Sequence, residues 1–249
     1  MNTDELQWRR TVPRELIYPN EVHVWRVFLD STPFEIESLL GILSADELER
    51  AGRFHFETDQ KRFIVARGIL RKILGRYVKI NPRNLCFKYT SHGKPVLAAN
   101  SGYDAFRFNL SHSDAFALYA VTLDRNIGID IERVREDIDV EQIARRYFSQ
   151  DEISSLKSIH KNKRFEVFFK YWTRKEAFIK ATGLGISFPM ERCDVSLISG
   201  RGLSPITLPN DNREHPHWYG QDLFPGPGYA AAIAVEGGDW DLSCWHYSV

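Results

Sequence analysis

A short acidic repeat sets the first constraint on the fold. Residues 127–132 read I-G-I-D-I-E, so isoleucine alternates with glycine or a carboxylate. Because successive side chains of a strand point to opposite faces, the pattern predicts a strand with one apolar face, and with Asp130 and Glu132 together on the other. Two adjacent carboxylates favour a bound cation. An edge strand with a solvated acidic face is the alternative, and this segment by itself does not decide between them.

The composition is that of an ordinary globular protein. The 249 residues suffice for one large or two small domains, and 33 basic side chains balance 33 acidic ones. No apolar run reaches the roughly 18 to 20 residues of a membrane span, and residues 1–10 are too polar for a signal peptide. We therefore predict a cytoplasmic protein that binds neither nucleic acid nor membrane. Widely spaced Cys86, Cys193 and Cys244 are predicted to be reduced.

The acidic strand is predicted to close an antiparallel meander. Strands over residues 106–110 and 115–123 precede it, with short polar turns between them. The first and third strands of a meander run in the same direction and end at the same edge. His112, in the first turn, is therefore expected near Asp130 and Glu132. Beside two carboxylates a histidine is a candidate phosphate-binding or acid–base group, whereas alone it is a turn residue.

A long helix over residues 162–182 carries an anomaly. Its apolar residues recur every three or four positions, and Glu176 falls on that stripe. A carboxylate that faces a core needs a partner, which is either Lys180 one turn later or a group across an interface. In the second case Glu176 converges with Asp130 and Glu132. Three carboxylates make a hard oxygen site that suits Mg²⁺, with waters and phosphates completing its shell.

The second half of the sequence faintly repeats the first. Residues 44–47 and 149–152 read S-A-D-E and S-Q-D-E, and both patterns are typical of a capped helix start. A long helix follows each one. The first is predicted over residues 59–74 with Gly75 as its C-cap, and the second ends at Gly183. Each half then closes with a small apolar strand.

The repeat predicts the fold class and the domain division. We expect an α+β pseudo-dimer of two similar halves, each a small antiparallel sheet packed with a long helix. The halves are residues 1–124 and 125–249, and the active site is expected at the interface between them. Residues 199–227 are rich in proline, glycine and asparagine and are predicted to be mostly loop.

Three motifs together resemble a known family. They are F-N-L-S-H-S at residues 108–113, I-G-I-D-I-E at residues 127–132 and W-T-R-K-E-A-F-I-K at residues 172–180. G-K-P at residues 93–95 resembles a fourth. In this order and spacing they look like the signature motifs of the 4'-phosphopantetheinyl transferases, specifically the larger surfactin-synthetase-activator type, whose single chain is a pseudo-dimer. The resemblance spans residues 43–189.

The resemblance implies a reaction and a metal site. Members of the family transfer the phosphopantetheine arm of coenzyme A, their co-substrate, to a serine of an apo acyl or peptidyl carrier protein and release 3',5'-ADP. By this resemblance Asp130, Glu132 and Glu176 would hold Mg²⁺ on the coenzyme A pyrophosphate. Glu176 would also remove the serine proton, directly or through water. A monomer is expected, because the pseudo-dimer already supplies both halves.

The resemblance also implies contacts to the phosphates of coenzyme A. Some members grip the 3'-phosphate with two lysines, whose positions are Glu47 and Arg50 here. This departure leaves Arg50, with Arg53 and Arg62 as possible substitutes. The implied phosphate contacts are Lys94, Ser111, His112 and Lys180, and the implied catalytic residues are Glu176, Lys180 and His112.

Two other classes of protein fit part of the pattern. A Mg²⁺-dependent phosphodiester hydrolase would use the same three carboxylates, and it would consume coenzyme A without a protein acceptor. A nucleic-acid-binding module would use the basic face of the helix over residues 59–74, but the neutral net charge argues against it. Neither class explains His112 and Glu176 together.

A basic segment follows the acidic strand. Apolar residues recur at helical spacing over residues 140–147, and Arg145 and Arg146 interrupt them. Such a helix either docks an acidic carrier protein beside the active site or faces the core with its arginines in solvent. The sequence leaves both interpretations open.

Overall fold

The computed structural model describes residues 8–9, 16–98, 102–185, 188–195, 203–206, 208 and 218–248. Over these residues the fold is α+β, as predicted. The helices are α1 (Pro33–Leu40), α2 (Ala45–Ala51), α3 (Glu57–Val78), α4 (Val140–Tyr147), α5 (Gln150–Ser158) and α6 (Arg164–Thr182). The strands are β1 (Trp8–Arg9), β2 (Glu21–Phe28), β3 (Phe87–Tyr89), β4 (Pro95–Leu97), β5 (Phe106–Ser113), β6 (Phe116–Leu123), β7 (Ile127–Arg133), β8 (Ser204–Ile206), β9 (Trp218–Leu223), β10 (Tyr229–Glu236) and β11 (Asp241–Tyr247).

Two sheets pack face to face in the middle of the molecule. The first has the strand order β1-β11-β2-β6-β5 and the second β7-β10-β9-β8, while β3 and β4 form a separate ribbon. An apolar cluster that includes Val24 of β2, Ile129 of β7 and Ile233 of β10 fills the space between them. Helix α3 packs on the outer face of the first sheet and α6 on that of the second. The layers therefore run helix, sheet, sheet, helix.

Strand β7 is not the third strand of a meander, so that prediction is wrong. It pairs antiparallel with β10, with Ile129 opposite Ile233, and thereby belongs to the second sheet. Its other edge still lies along β5, since the backbone N–H of Ile129 donates to the side-chain oxygen of Asn109 over 2.9 Å. The strand changes sheet because its isoleucines fill the core between the two sheets.

The last strand crosses back to the first sheet. Strand β11 runs parallel to β2, with Cys244 opposite Val24, and separates β2 from β1. Residues 241–247 therefore complete the sheet of the first half, although they follow the second half in the chain. The apolar alternation of β11 does not reveal this crossover, because it fits a strand in either sheet.

The predicted helix starts are confirmed, and one helix end is wrong. The backbone N–H groups of Ser44 and Ser149 donate to Glu47 and Glu152 over 3.0 and 2.8 Å, as expected of capping boxes. Helix α3 does not end at Gly75. It continues to Val78 and ends at Lys79, which adopts the left-handed conformation with φ of 53°. Glycine is needed at 75 because a Cβ there would lie 2.7 Å from the carbonyl oxygen of Ile80.

Residues 199–227 contain more than loop. Strands β8 and β9 lie within this range, and β9 pairs along most of β10. The sequence did not indicate β9 because W-Y-G-Q-D-L lacks a clear alternation, so its partner strand rather than its own pattern decides its conformation. Residues 199–202, 207 and 209–217 of this range lie outside the described residues, so there the loop prediction stays a prediction. The three cysteines are free, as predicted. Among the described helices, none is both long and apolar enough to cross a membrane.

Candidate active site

Strand β7 and helix α6 approach each other unusually closely. A Cβ placed on Gly128 would lie 2.0 Å from the carbonyl oxygen of Ala177 and 2.4 Å from the backbone nitrogen of Ala181. No side chain fits there, so glycine permits the backbone of the helix to rest directly on the strand. The acidic residues of β7 are thereby brought against the turn of α6 that bears Glu176 and Lys180.

A cavity of about 690 Å³ lies at this junction. It is open to solvent at one side and extends toward α2 and α3 of the first half. The expectation that His112 lies near the acidic strand is confirmed, since both border the same cavity. The predicted residues in its wall are Arg50, Ser111, His112, Asp130, Glu132, Glu176 and Lys180.

Asp130 is buried and only partly satisfied. Its side chain Oδ1 accepts hydrogen bonds from Ser111 Oγ at 2.8 Å and from Lys180 Nζ at 2.6 Å. Its Oδ2 atom is buried and, within the described part of the chain, has no hydrogen-bond partner. An ionised buried oxygen without a donor is costly, so this atom is suited to receive a cation. Lys180 thus pairs with Asp130 rather than with Glu176, its neighbour one helical turn away.

Glu132 and Glu176 both hold their protons more tightly than ordinary glutamates. Burial and, next, the charge of Asp130 raise the pKa of each carboxyl group. Glu132 accepts a hydrogen bond from Ser113 Oγ at 2.8 Å. Glu176 has no ion pair or hydrogen bond to any residue that the structure describes. Both carboxylates would therefore be stabilised by a positive charge in the cavity.

The carboxylates do not form a closed metal cage. Among the described residues there is no ready cluster of three or more His, Cys, Asp or Glu side chains able to hold a metal ion. Mg²⁺ commonly takes one or two carboxylates and fills its other positions with water and substrate phosphates. The unpartnered oxygen of Asp130, beside Glu132 and Glu176 in an open cavity, fits a site of that kind.

His112 and Lys180 supply polar hydrogens beside the carboxylates. His112 is exposed at the cavity mouth, although protein atoms crowd its ring. That crowding, followed by the charges of Lys180 and Arg50, lowers the pKa of the imidazole. His112 is therefore neutral near pH 7 and can donate one hydrogen bond, whereas the ammonium of Lys180 donates to Ser111 and Asp130.

Three predicted phosphate contacts do not line this cavity, and their assignment to coenzyme A stays a prediction. Lys94 donates to two backbone carbonyl groups and lines an adjoining cavity rather than this one. Arg53 is largely exposed and pairs with Glu49 at 2.5 Å. Arg62 is held by two aspartates, Asp30 at 2.8 Å and Asp114 at 2.9 Å. In each case the long side chain is bonded to another group of the protein.

The far end of the cavity was not predicted in detail. Arg50 lines it and lies over the ring of Phe63, 5.4 Å from the centroid. Glu47 is withdrawn from the site, since it is buried in ion pairs with Arg67 and Arg71. Among the aromatic members of this wall, Phe63 had the signal of its helical spacing and Trp172 that of the motif it begins. The residues that sequence reasoning missed are Phe54, Phe63, Arg67, Tyr89 and Trp172.

Clustered carboxylates that face cations, with a basic and aromatic pocket beside them, define a site for a phosphorylated ligand. Comparison with known proteins gives the family. The model for "4'-phosphopantetheinyl transferase, N-terminal" matches residues 30–123, and that for "4'-phosphopantetheinyl transferase superfamily" matches residues 126–234.

Curated relatives agree with these matches. 4'-phosphopantetheinyl transferase HetI of Nostoc sp. is 40% identical over 96% of this chain and 98% of its own. 4'-phosphopantetheinyl transferase psf-1 of Bacillus pumilus is 35% identical over 71% of this chain and 72% of its own. 4'-phosphopantetheinyl transferase ffp of Bacillus subtilis is 30% identical, covering 81% and 85%. The chain belongs to the 4'-phosphopantetheinyl transferase family, as its motifs indicate, and it is a phosphopantetheinyl transferase of the surfactin-synthetase-activator type.

Proposed function

We propose that this enzyme moves the 4'-phosphopantetheine arm of coenzyme A to a serine of an apo carrier protein, releases 3',5'-ADP, and depends on Mg²⁺. The observation that carries the metal assignment is the unpartnered, buried Oδ2 atom of Asp130 in the same cavity as Glu132 and Glu176. We assign these three residues to the metal. The ion would neutralise charge on the two phosphates of the bound pyrophosphate.

The side chains suggest how the transfer proceeds. The serine oxygen attacks the pantetheine-side phosphorus, and the bond from that phosphorus to the bridging oxygen breaks, so 3',5'-ADP leaves. Glu176 accepts the serine proton, directly or through water. Lys180 and His112 donate to the phosphate oxygens, and Ser111 holds Lys180 and Asp130 in place.

The basic and aromatic end of the cavity suits the nucleotide of coenzyme A. Arg50 lines this end and has no ion pair with any described residue. We propose that it contacts the 3'-phosphate, because a guanidinium matches the geometry of a phosphate. The rings of Phe54, Phe63 and Tyr89 supply an apolar wall for the adenine.

We further propose that the chain is a monomeric pseudo-dimer of residues 1–124 and 125–249. Strands β2-β6-β5 and β7-β10-β9 have the same order and the same antiparallel pairing. Each half also buries a capping-box glutamate against the long helix, Glu47 with Arg71 and Glu152 with Lys175. The limits of the two matched families at residues 123 and 126 support the same boundary. Only β11 departs from it among the described strands.

The test is a transfer reaction followed by mass spectrometry. Purified enzyme, coenzyme A, Mg²⁺ and an apo carrier protein should yield a carrier heavier by one phosphopantetheinyl group on its serine, together with 3',5'-ADP. Omission of the carrier should stop coenzyme A consumption, and EDTA should stop the transfer. Consumption of coenzyme A without a carrier would instead indicate a hydrolase. Acyl, polyketide and peptide-synthetase carriers tested side by side would identify the preferred partner.

A further inference from the structure

The side chain of Lys94 reaches the place where β7 meets α6. Its flanking residues Gly93 and Pro95 line the active-site cavity, and Lys94 lines an adjoining cavity whose wall also includes Glu176 and Lys180. Its ammonium donates to the carbonyl oxygen of Ile127 at 2.9 Å and to that of Lys180 at 2.6 Å. One belongs to the first residue of β7 and the other to the last turn of α6.

The two acceptors belong to the two elements that carry the proposed metal ligands. Asp130 and Glu132 lie on β7, and Glu176 lies on α6. Gly128 allows these elements to touch and Lys180 pairs with Asp130 across them, and Lys94 adds a second polar link between their two backbones. A cation at the end of a helix also complements the negative end of its dipole.

We propose that Lys94 is a positioning residue that clamps β7 to α6 and so fixes the spacing of Asp130 and Glu132 relative to Glu176. It uses two of its three ammonium protons on the backbone carbonyl groups of the two elements. The proposal rests on the proposed function only for the identity of the metal ligands. The clamp itself is a property of the protein without metal or substrate.

The ribbon of β3 and β4 is built to present this lysine. The backbone N–H of Lys94 donates to Thr90 Oγ1 at 3.1 Å, and that of Thr90 to the carbonyl of Lys94 at 2.9 Å. Gly93 takes φ of 78° in the turn between them. Burial, followed by the charges of Arg107 and Lys180, lowers the pKa of Lys94 to about 8. Burial of the Lys94 ammonium is therefore unfavourable, and its hydrogen bonds to the two carbonyl groups offset that cost.

The test compares Lys94→Met with Lys88→Met, an exposed lysine on the partner strand β3. In metal-free protein without substrate, Lys94→Met should speed amide hydrogen exchange about 10-fold or more in β7 and the last turn of α6. It should raise the Mg²⁺ concentration for half-maximal transfer about 10- to 100-fold, as loss of a support behind metal ligands does. Coenzyme A affinity in EDTA should change less than about 2-fold. Lys88→Met should change none of these.

The opposite pattern would overturn the proposal. If Lys94→Met weakens coenzyme A about 10-fold in EDTA and leaves hydrogen exchange unchanged, then Lys94 is a phosphate ligand. If Lys94→Met does not fold, the test uses NMR of wild-type protein labelled at lysine Nζ. The Lys94 signal is identified by its absence from the spectrum of Lys94→Arg. A clamp keeps the Lys94 resonance in place when coenzyme A is added without metal, and a large shift contradicts it. Exchange data are independent of Mg²⁺ chemistry, so failure of the proposed metal dependence is a separate outcome.

Discussion

Lys180 lies 2.6 Å from Oδ1 of Asp130, and this ion pair joins α6 to β7 at the floor of the cavity. The pair occupies one carboxylate oxygen and leaves Oδ2 of Asp130 buried without a partner among the described residues. Lys180 therefore fixes the carboxylate through one oxygen and leaves the second oxygen for the proposed metal. The arrangement separates the roles of the two carboxylate oxygens.

Asp130→Asn should prevent the side chain from pairing with Lys180 through one oxygen while it binds the proposed metal through the other. The amide keeps the shape of the side chain but loses the charge, so we expect transfer to fall by at least about 100-fold at all Mg²⁺ concentrations. Calorimetry should show no Mg²⁺ binding in the presence of coenzyme A. Asp137→Asn is the control, since Asp137 is exposed beyond the end of β7. Wild-type transfer by Asp130→Asn in saturating Mg²⁺ would refute the assignment.

Glu176→Gln should change both catalysis and stability. The pKa of Glu176 and of Glu132 is raised in the folded protein, so the folded state binds protons more tightly than the unfolded state. In EDTA the free energy of unfolding should therefore rise as pH falls through the raised pKa values toward the ordinary value of 4.5. Glu176→Gln should weaken this dependence, stabilise the metal-free protein at pH 7.5, and slow transfer by about 100- to 10,000-fold.

Denaturant unfolding of the metal-free proteins between pH 4.5 and 7.5 measures the stability part. Glu166→Gln serves as the control, because Glu166 is an exposed glutamate in the first turn of the same helix. A Glu176→Gln protein that unfolds more easily than wild type at pH 7.5 would show that the carboxylate is not repelled by Asp130 and Glu132.

Arg50→Met should distinguish coenzyme A from dephospho-coenzyme A. If Arg50 contacts the 3'-phosphate, the variant loses about 10- to 100-fold in kcat/KM for coenzyme A, the worth of a hydrogen bond to a charged group. The value for dephospho-coenzyme A should change little. Arg53→Met should affect neither, since Arg53 is largely exposed and pairs with Glu49. Equal losses for both substrates would place Arg50 away from the 3'-phosphate.

His112→Ala should lower the activity with both substrates alike. His112 borders the cavity near Asp130 and Glu132, so it is assigned to the pyrophosphate that the two substrates share. We expect a loss of about 10- to 100-fold in kcat/KM for each. The measurement is the ratio of kcat/KM for coenzyme A to kcat/KM for dephospho-coenzyme A. A loss restricted to coenzyme A would assign His112 to the 3'-phosphate instead.

The carrier-docking hypothesis concerns the helix just after β7. Val140 and Ala144 of α4 are buried, whereas Arg145 and Arg146 are exposed. An Arg145→Glu, Arg146→Glu double variant should raise the KM for an acidic carrier and leave the KM for coenzyme A unchanged. Wild-type rates should fall with salt, because a Debye length of about 8 Å at physiological ionic strength screens the encounter.

Lys161→Glu, Lys163→Glu is the matched control, with two exposed cations reversed before α6. Normal modification of the carrier by the Arg145, Arg146 variant at low salt would place the docking surface elsewhere. A rise in KM for both double variants would indicate a general charge effect rather than a defined surface.

The sequence by itself determined the local elements and the chemistry they carry. The alternation over residues 127–132 predicted strand β7. The spacing of apolar residues predicted helix α6, which carries Glu176 and Lys180. These two elements follow from backbone periodicity and from residues near in the chain, so they can be predicted without knowledge of the packing. The sequence placed His112 in the turn after a strand over residues 106–110, whereas β5 extends to Ser113 and includes His112, and the packing of β7 beside β5 brings it near the acidic strand.

Only the tertiary structure decided which partners these elements chose. β7 pairs with β10, and β11 with β2, because a strand edge bonds to any strand that reaches it, and the filling of the core between the sheets selects among them. Lys180 could reach Glu176 along its own helix but bonds Asp130 instead. Lys94 bonds two carbonyl groups far away in the chain. Long flexible side chains bond to whatever acceptor the fold brings near, and that distance is set by packing, not by spacing in the sequence.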